Sequence, residues 1–515
     1  MGIPAYFIHI IKTYPKIIQK YLKNMTVINN LYIDSNSIIY DALRVFKTTP
    51  SNPDLIKQVI VKIEEYIINI NPVNNVIIAF DGVCPIAKME QQRNRRYKTV
   101  LNPFVSTSEN KFNTTCLTPG TDFMNLLDES VSNYFANRVT NNELNIIVST
   151  SGMPGEGEHK LFQYIRNNPE EHIDRNTVIY GLDADLIMLS INHLNLCPNI
   201  YLYRETPEFI KSVDSSLDPN ELYVLDIAEL SKSTMIPCND YIFLCFFLGN
   251  DFLPHFPALN IRTGGIDKML NAYKSTIKEG ESLTDGKTIY WKNVRKIVIF
   301  LANQEELFIK TETKGRDRRE KTFYPCTTLE EKMKKFDALP QTERDMEKYI
   351  NPFKEGWQYR YYKTLFKTEN TEERLKQICT NYIEGLEWTM KYYSVDCPDW
   401  RWKYKYHYPP LLQDLIRYIP YFETDFIKNK QSDPVSPLTQ LCYVLPRESL
   451  QFLPEGVRNN LLENYSHLYP EKVDFVWAYC RYFWESHAEL PDITPLEGCI
   501  QPTSIARDRW LDYNI

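Results

Sequence analysis

The strongest constraint in this sequence is an alternation, over its first half, of short β-branched apolar runs with segments of helical periodicity. The clearest apolar runs cover residues 30–33, 76–80, 146–149 and 177–180. Strands separated by helical segments are typical of βαβ units, in which neighbouring strands run parallel. The sequence therefore predicts an α/β fold with a mixed, mainly parallel sheet flanked by helices.

Acidic residues follow each of these predicted strands, directly or after a short glycine-containing turn. They are Asp34, Asp81, the pair Glu156 and Glu158, and the pair Asp183 and Asp185. The carboxyl ends of parallel strands lie at one edge of a sheet, where open α/β sheets bind their ligands. We therefore expect these carboxylates to converge on one site. Asp251 is a seventh candidate, with an Asx turn that closes a buried helix as its alternative role.

The clustering of these acids indicates their chemistry. A lone Asp after a strand is more often a turn residue or a helix N-cap, so the prediction depends on the convergence of several acids. Crowded carboxylates repel one another, and divalent cations relieve that repulsion. Oxygen donors without clustered His or Cys favour Mg²⁺ or Mn²⁺ over zinc. Two ions about 4 Å apart suit an in-line phosphoryl displacement, so the seven acids predict a metal-dependent phosphodiesterase with two ions.

A basic helix is predicted to leave the same edge of the sheet, shortly after Asp81. A helix starting near Pro85 brings Lys88, Gln92, Arg95 and Arg96 to one face, at i, i+4, i+7 and i+8. A charged run of this kind is by default a solvated surface. If this face lies beside a metal-binding acid cluster, it predicts a phosphate-binding site, because one guanidinium group can donate two parallel hydrogen bonds to two phosphate oxygens.

Composition sets limits on the partners. With 59 Lys and Arg against 66 Asp and Glu, the net charge is −7, so a nucleic acid has to be met by a local basic patch. The 11 cysteines are scattered without any C-x-x-C pair, which indicates reduced thiols and a cytoplasmic location, with the nucleus as the alternative. The apolar run at residues 241–248 is far shorter than the roughly 20 residues of a transmembrane helix, so we expect no membrane association.

The chain divides by composition into three parts. Residues 1–278 carry the strand and acid pattern and form the predicted catalytic core. Residues 279–341 are rich in Lys, Arg and Glu, including KGRDRREK at 314–321, and are predicted to be a charged linker or exposed loop. Residues 342–515 form a second, mostly helical region crowded with Trp and Tyr, which we expect to close the pocket of the active site.

Several motifs resemble, in order, those of the eukaryotic 5′-to-3′ exoribonuclease (Xrn) family. In the first part they are MGIPAYF (1–7), LYIDSNS (31–37), DGVCPIAKM (81–89), CLTPGT (116–121), PGEGEHK (154–160), IYGLDADLIM (179–188) and FFLGNDFLP (246–254). Weaker matches follow in the second region at GLEW (385–388), WRW (400–402), YHYP (406–409) and VLP (444–446). The resemblance covers nearly the whole chain, which looks like a compact form of the family.

The resemblance implies a PIN-like 5′-nuclease core and stepwise hydrolysis of single-stranded RNA from a 5′-monophosphate end, with release of mononucleotides. It implies that all seven acids bind metal and that Lys88, Gln92, Arg95 and Arg96 bind the 5′-phosphate. Tyr40 stands where the family typically has a His that stacks on terminal bases, so an aromatic face is kept and a titratable ring is lost. We expect a monomer, and the sequence specifies no protein partner.

Two other functions remain open at this stage. A flap-type 5′ nuclease acting on branched DNA has the same acid-rich edge, although no helix-hairpin-helix glycine pattern for duplex DNA is evident and the aromatic second region suits a closed single-strand pocket. A catalytically inactive RNA-binding scaffold is the other alternative. Loss of some of the acids would be expected in such a protein, whereas all seven are present.

Overall fold

The structure, a computed structural model, describes residues 2–3, 5–21, 27–104, 112–138, 144–204, 217–218, 221–369, 371–427, 432–493 and 496. The strands are β1 (Ile18–Lys20), β2 (Asn30–Asp34), β3 (Asn75–Ala79), β4 (Asn145–Ser149), β5 (Asn176–Tyr180), β6 (Asn199–Tyr203), β7 (Tyr223–Asp226), β8 (Phe475–Val476) and β9 (His487–Ala488). All four predicted strands are confirmed, as β2 to β5.

The helices of the first part are α1 (Tyr6–Thr13), α2 (Asn36–Arg44), α3 (Asn52–Ile70), α4 (Ile86–Val100), α5 (Asp122–Ala136), α6 (Gly157–Asn167), α7 (Asp185–Asn192), α8 (Ile227–Thr234), α9 (Cys238–Cys245) and α10 (Gly265–Thr276). Those that follow are α11 (Trp291–Glu320), α12 (Leu329–Asp337), α13 (Leu339–Thr342), α14 (Asp345–Ile350), α15 (Trp357–Leu365), α16 (Glu372–Ser394), α17 (Leu412–Leu415), α18 (Pro437–Val444) and α19 (Glu455–Asn464). Short 3₁₀ turns lie at Pro15–Ile17, Thr114–Cys116, Pro169–Glu171, Phe246–Leu248, Pro257–Leu259, Ile261–Thr263, Arg447–Phe452, Ser466–Leu468 and Phe483–Glu485.

A seven-stranded sheet with the order β1-β7-β6-β5-β2-β3-β4 organises the first part. The five strands from β6 to β4 run parallel, whereas β7 is antiparallel to β6 and β1 is antiparallel to β7. The predicted mixed, mainly parallel sheet is therefore confirmed. All five residues of β2 are buried, as parallel strands covered on both faces require.

The two faces of the sheet contribute to different cores because side chains alternate along a strand. Leu31 and Ile33 of β2 join the core formed with α2, α3 and α5. Tyr32, between them, points to the opposite face and joins a larger core. That larger core runs from Ile3 to Tyr479, so the first part and the second region share it.

Residues 279–341 are not the linker or exposed loop that the charge run predicted. Its longest element is α11, a helix of 30 residues. Apolar side chains such as Val294, Ile297 and Leu301 recur at helical spacing and are buried in the larger core. Arg316, inside KGRDRREK, is 3% exposed and is neutralised by Glu347 at 2.7 Å. The charges lie beside this apolar stripe, and one of them is itself buried in an ion pair.

The second region is helical and rich in aromatic contacts, as predicted. Its longest helix, α16, carries Trp388, which stacks on Trp402 at 5.2 Å between ring centroids. Its α18 packs against α4 of the first part, where Ile86 and Met89 join a third core. The second region therefore covers the helix that carries the predicted phosphate-binding face.

None of the helices within the described residues is long and apolar enough to cross a membrane. The run at 241–248 forms α9 and the following 3₁₀ turn, and its side chains are buried in the larger core, as predicted. Every cysteine in the part of the chain that the structure describes is a free thiol.

Candidate active site

The predicted acids are attached at the carboxyl ends of the parallel strands. Asp34 is the last residue of β2, Asp81 follows β3, and the pair Asp183 and Asp185 follows β5. The glutamates are positioned by α6, since Glu156 is its N-cap and Glu158 lies in its first turn. Because these strands are neighbours and run parallel, their ends bring the acids to one edge of the sheet.

Gly157 ties three of these segments together. Its N–H donates to Asp81 Oδ1 at 2.7 Å. A Cβ placed on Gly157 would lie 2.8 Å from Asp34 Oδ1 and 3.4 Å from Asp81 Oδ1. The glycine is therefore required by the close approach of two carboxylates from neighbouring strands. Asn36 holds the same site from α2, because its Nδ2 donates to Asp81 Oδ2 at 2.6 Å.

Lys88 lies within the acid cluster. Its Nζ is 2.5 Å from Glu156 Oε2 and 2.7 Å from Asp251 Oδ2. These contacts bring the seventh acid, which is far along the chain, to the same cluster. The Asx turn of that loop is formed by Asn250, whose Oδ1 accepts from the N–H groups of Phe252 and Leu253, so the alternative role proposed for Asp251 is filled by its neighbour.

The other members of the predicted basic face differ in exposure. Arg95 is exposed, whereas Gln92 and Arg96 are half-buried. Arg96 Nη2 donates to Thr118 Oγ1 at 2.6 Å. Within the described part of the chain, the donor Arg96 Nη1 and the acceptor Gln92 Oε1 are buried and have no hydrogen-bond partner. Desolvation and the nearby Arg95 lower the pKa of Arg96 to about 10. The face therefore holds closely spaced polar groups, among them one guanidinium donor and one amide acceptor that are unpaired.

Burial and mutual repulsion perturb the acids strongly. Desolvation, followed by the charges of Asp81 and Asp183, raises the pKa of Asp34 well above its ordinary value. Desolvation and then Asp185 act in the same way on the pKa of Glu158. The pKa of Asp185 is raised to about 7, by desolvation and then by Asp251. Groups perturbed in this way are typical of functional sites.

Two acids near fixed cations behave in the opposite way. Desolvation would raise the pKa of Asp251, but Lys88 holds it well below its ordinary value. The pKa of Asp183 is lowered against the same desolvation, with Lys88 and Arg95 among the cations responsible. Lys88 itself is desolvated, yet Asp251 and Glu156 raise its pKa, so it stays charged.

Three contributors to the site were missed by the sequence analysis. Tyr392 of α16 donates from its hydroxyl to Glu156 Oε1 at 2.9 Å, so the second region reaches the acid cluster. The His159 ring stacks on the Tyr392 ring at 3.8 Å between centroids. Gly2 donates from its backbone N–H to Asp251 Oδ1 at 3.2 Å. His159 lies inside PGEGEHK and Gly2 inside MGIPAYF, but the contacts of Tyr392 with Glu156 and of Gly2 with Asp251 join residues more than 200 positions apart and had no local signal.

The donor set suits a divalent cation. Ligand atoms of Glu156, Glu158 and His159 lie within 4.8 Å of one another and are buried. Glu158 Oε2 and Asp185 Oδ1 are buried and have no hydrogen-bond partner among the described residues, so these carboxylate oxygens are available to a ligand. Oxygen donors dominate the cluster, as Mg²⁺ and Mn²⁺ prefer. His159 adds a nitrogen that the sequence-based prediction of an all-oxygen site did not include.

Tyr40 lies on α2, with 40% of its surface exposed. Tyr40 is close enough to the basic face of α4 to act electrostatically on Arg96, whose pKa it raises slightly against the larger effects of desolvation and Arg95. The ring is therefore an exposed aromatic surface beside that face, and it belongs to none of the three cores.

The chain was compared with protein-family profiles. The profile of the XRN 5′-3′ exonuclease N-terminus matches residues 1–206. The profile of the Xrn1 helical domain matches residues 236–346 and 325–495. The chain belongs to the XRN 5′-3′ exonuclease family. Six of the seven acids lie in the first match, and the seventh, Asp251, lies in the second.

Individual relatives are similar over nearly all of this chain. The 5′-3′ exoribonuclease 2 of Gallus gallus is 27% identical and matches 95% of this chain and 68% of its own length. The homologue from Drosophila melanogaster is 26% identical, with 95% and 69% covered. The 5′-3′ exoribonuclease 1 of Schizosaccharomyces pombe is 27% identical over 92% of this chain but only 46% of its own length. Among solved structures, the catalytic core of Rad2 in complex with a DNA substrate is similar at 12% identity, with 61% of this chain and 79% of that chain covered and a TM-score of 0.35.

Proposed function

We propose that this protein is a 5′-to-3′ exoribonuclease that hydrolyses single-stranded RNA with a 5′-monophosphate, one nucleotide at a time. The observation that carries the proposal is that α4 connects two clusters of opposite charge. They are the acid cluster at the sheet edge and the basic face of the helix itself. Lys88 of α4 bridges Glu156 and Asp251. Two turns further along, Arg96 presents an Nη1 donor that has no acceptor among the described residues, and the Gln92 amide lies one turn from each of them. Relatives named 5′-3′ exoribonuclease support the same reading.

In this proposal the basic face of α4 binds the terminal phosphate. Arg95 and Arg96 supply planar donors that match phosphate oxygens, and Gln92 adds an amide. The first phosphodiester bond then lies against the acid cluster, so each cleavage releases a nucleoside 5′-monophosphate. Because Lys88 belongs to both clusters, it fixes the distance between the phosphate and the reacting bond. Positioning of this kind accounts for a large part of enzymatic rate enhancement.

The acids would hold two divalent ions, Mg²⁺ or Mn²⁺. The proposed ligands are Asp34, Asp81, Glu156, Glu158, Asp183, Asp185 and Asp251. When bound, such ions stabilise the charge that develops on the attacking and leaving oxygens. The chain's own contribution is to orient the carboxylates: Tyr392 fixes one oxygen of Glu156, and the Gly157 N–H fixes one oxygen of Asp81.

The remaining contributions come from aromatic residues and from the second region. We propose that Tyr40 stacks on a terminal base, since it is an exposed ring beside the phosphate-binding face. The second region closes the pocket, because α16 and α18 pack against the site and against α4. We propose a monomeric enzyme that acts in the cytoplasm, with the nucleus as the alternative, without a membrane partner.

The deciding experiment uses RNA labelled at either end and carrying a 5′-monophosphate. Incubated with Mg²⁺, the protein should release labelled mononucleotide from the 5′ end at once and from the 3′ end only late. Chelator should stop the reaction, and Asp183→Ala should be inactive while keeping the wild-type melting profile. Internal fragments as first products, or equal activity of Asp183→Ala, would refute the proposal.

A second substrate separates this proposal from its nearest alternative. A flap-type nuclease would cut branched DNA endonucleolytically and leave linear RNA intact. An inactive scaffold would bind RNA without consuming it at any metal concentration. Parallel reactions with flap DNA and linear RNA of equal length therefore distinguish the three functions.

A further inference from the structure

A cavity of about 740 Å³ lies along a different flank of α4 from the one that carries Lys88 and Arg96. Ala87, Gln91, Asn94 and Lys98 of the helix line it. Its opposite wall comes from the second region, through residues 401–407 and the segment around Trp484. Arg95, at the border between the two flanks, lines the cavity and also acts electrostatically on Asp183 of the acid cluster.

The cavity shares a wall with the acid cluster. Gly2 and Asp251 line it, and the Oδ2 atom of Asp251 contacts Lys88 Nζ at 2.7 Å. A Cβ placed on Gly2 would lie 2.1 Å from Asp185 Oδ1, which shows how thin this wall is. The cavity is therefore next to the reacting centre, yet it is lined mainly by residues that have no role in the mechanism above.

Three polar atoms in the cavity lining have no hydrogen-bond partner among the residues that the structure describes. They are Gln91 Oε1, Asn250 Nδ2 and His255 Nε2, all of them buried. The Asn250 amide is fixed in orientation because its Oδ1 accepts two backbone N–H groups. A buried polar atom without a partner is destabilising, and a ligand that pairs with it removes that cost. A site that combines an unpaired acceptor, an unpaired amide donor and an imidazole suits a ligand that has both donors and acceptors.

An aromatic platform lies in the same lining. Trp484 is 40% exposed and stacks on Tyr482 at 6.1 Å between centroids. Arg262, which also lines the cavity, lies over both rings. A flat heterocycle with hydrogen-bonding edges fits this combination, and nucleobases stack on such surfaces. The volume is in the range of sites for small organic ligands.

We propose that this cavity receives the nucleoside 5′-monophosphate released by each cleavage and forms the product-release site. This proposal rests on the proposed function. Hydrolysis breaks the P–O3′ bond and bonds a water oxygen to phosphorus. The released nucleotide therefore keeps its 5′-phosphate and gains a 3′-hydroxyl, while the shortened strand carries a new 5′-monophosphate. That strand must occupy the phosphate site next, so the product has to leave by another direction, and Arg95 connects the two places.

Nucleotide binding tests the cavity without any hydrolysis. AMP and UMP are titrated calorimetrically into the protein in the presence of chelator. Gln91→Trp should fill the cavity and weaken AMP binding at least tenfold, and Gln91→Leu should weaken it less, through loss of one hydrogen bond. Thr99→Trp places the same ring on an exposed position of α4 outside the cavity and should bind AMP like the unmodified protein. Equal affinities for all four proteins would overturn the proposal.

Rapid-quench kinetics on a short 5′-phosphorylated RNA test the release role. If the product leaves through the cavity, Gln91→Trp should slow later turnovers at least tenfold more than the first, giving a burst equal to the enzyme concentration. Thr99→Trp should show the progress curve of the unmodified protein. A Gln91→Trp protein that slows all turnovers equally, or none, would overturn the release role.

The two proposals fail in different ways. Absence of RNA hydrolysis by the unmodified protein would overturn the proposed function and with it the release role. Normal RNA hydrolysis, together with an AMP affinity that is unchanged by the Gln91 substitutions, would overturn only the inference about the cavity. Should Gln91→Trp not fold, Gln91→Leu carries the binding test, because it shortens the side chain and removes a buried unpaired acceptor.

Discussion

Lys88 makes a buried cluster of carboxylates tolerable in the folded chain. Its ammonium group contacts Glu156 and Asp251 and is only 8% exposed. Removing one partner from a buried, paired set of charges is strongly destabilising, because the others are left uncompensated. Lys88 therefore supports the fold as well as the proposed chemistry, and loss of activity on mutating it would not separate the two roles.

Asp185 gives a prediction about pH. Its folded-state pKa of about 7 exceeds the ordinary value, so its protonated form is favoured by folding. Its contribution to stability is full below pH 4 and is lost as the pH rises towards 7. Asp185→Asn removes this penalty and should raise the free energy of unfolding at pH 8 by on the order of 1 to 4 kcal/mol, with little change at pH 4. Denaturant melts at both pH values, without metal, measure this difference.

The same variant should respond to Mg²⁺ differently from the wild type. A cation that binds only the folded state stabilises it in proportion to the logarithm of its concentration. Wild-type protein should gain stability on addition of Mg²⁺ at pH 8, and Asp185→Asn should gain less and lose RNA hydrolysis. A wild-type protein that is insensitive to both pH and Mg²⁺ would contradict the assignment.

Tyr392 is predicted to be a positioning residue. Tyr392→Phe removes the hydroxyl that holds Glu156 and keeps the ring that stacks on His159. Loss of such a supporting contact typically costs about 10- to 100-fold in metal affinity or activity. We expect a higher Mg²⁺ requirement with a nearly unchanged melting temperature. Tyr382→Phe, on the same helix but bonded to the Pro254 carbonyl, is the matched control and should keep the wild-type Mg²⁺ dependence.

Tyr40 tests the stacking role. Tyr40→Ala should slow RNA degradation by about 5- to 100-fold, which corresponds to the roughly 1 to 3 kcal/mol of one stacked base. Because the ring is exposed and belongs to no core, the melting temperature should change little. Tyr40→His should be nearly neutral, since it keeps an aromatic face. Unfolding of Tyr40→Ala, or full activity in that variant, would refute the role.

At the scale of elements, different faces of the single helix α4 have different roles. One face carries Lys88 and Arg96 towards the acids, and a second lines the cavity. A third face is structural, since the buried Arg93 donates to the carbonyls of Leu468 and Pro491 in the second region. The helix is thereby fixed from both sides, which is what precise positioning of a phosphate requires.

Because Arg96 and Arg93 lie on different faces of α4, we expect their substitution to change different properties of the protein. Arg96→Ala removes a charge-assisted donor worth about 1.5 to 3 kcal/mol, so the preference for 5′-monophosphate over 5′-hydroxyl RNA should shrink by about 10- to 100-fold. Arg93→Ala should lower thermal stability and leave that preference intact. Rates on the two RNAs, with the melting temperatures of both variants, provide the test. If the wild type degrades both RNAs equally, the basic face is a solvated surface.

At the scale of the whole molecule, the first part and the second region form one packing unit. Tyr6 of the first part and Trp388 of the second region belong to the same core. Residues 1–278 alone would expose that core to water. We expect this fragment to bind a hydrophobic dye and to lack a cooperative thermal transition, in contrast to the full chain. A fragment with a sharp transition and no dye binding would contradict the shared core.

The sequence by itself determined the four central strands, the mainly parallel character of the sheet and the acids that follow these strands. These features follow from local patterns. Runs of β-branched residues predict the strands, and the helical segments between them predict that neighbouring strands run parallel. The carboxyl ends of parallel strands lie at one edge of the sheet, which brings the acids together. The direction of the α4 face followed from the same periodicity, through Lys88 and its i+4, i+7 and i+8 partners. No long-range contact was needed for these inferences.

Only the tertiary structure decided which distant residues meet. Tyr392 reaches Glu156 across 236 positions, and Lys88 reaches Asp251 across 163, so no local pattern marks either contact. The charged segment around Arg316 was misread for the same reason. A charge run indicates a solvated surface only when no partner neutralises it, and Glu347 becomes a partner only after folding. Pairings of this kind depend on packing between elements, which is a property of the whole chain.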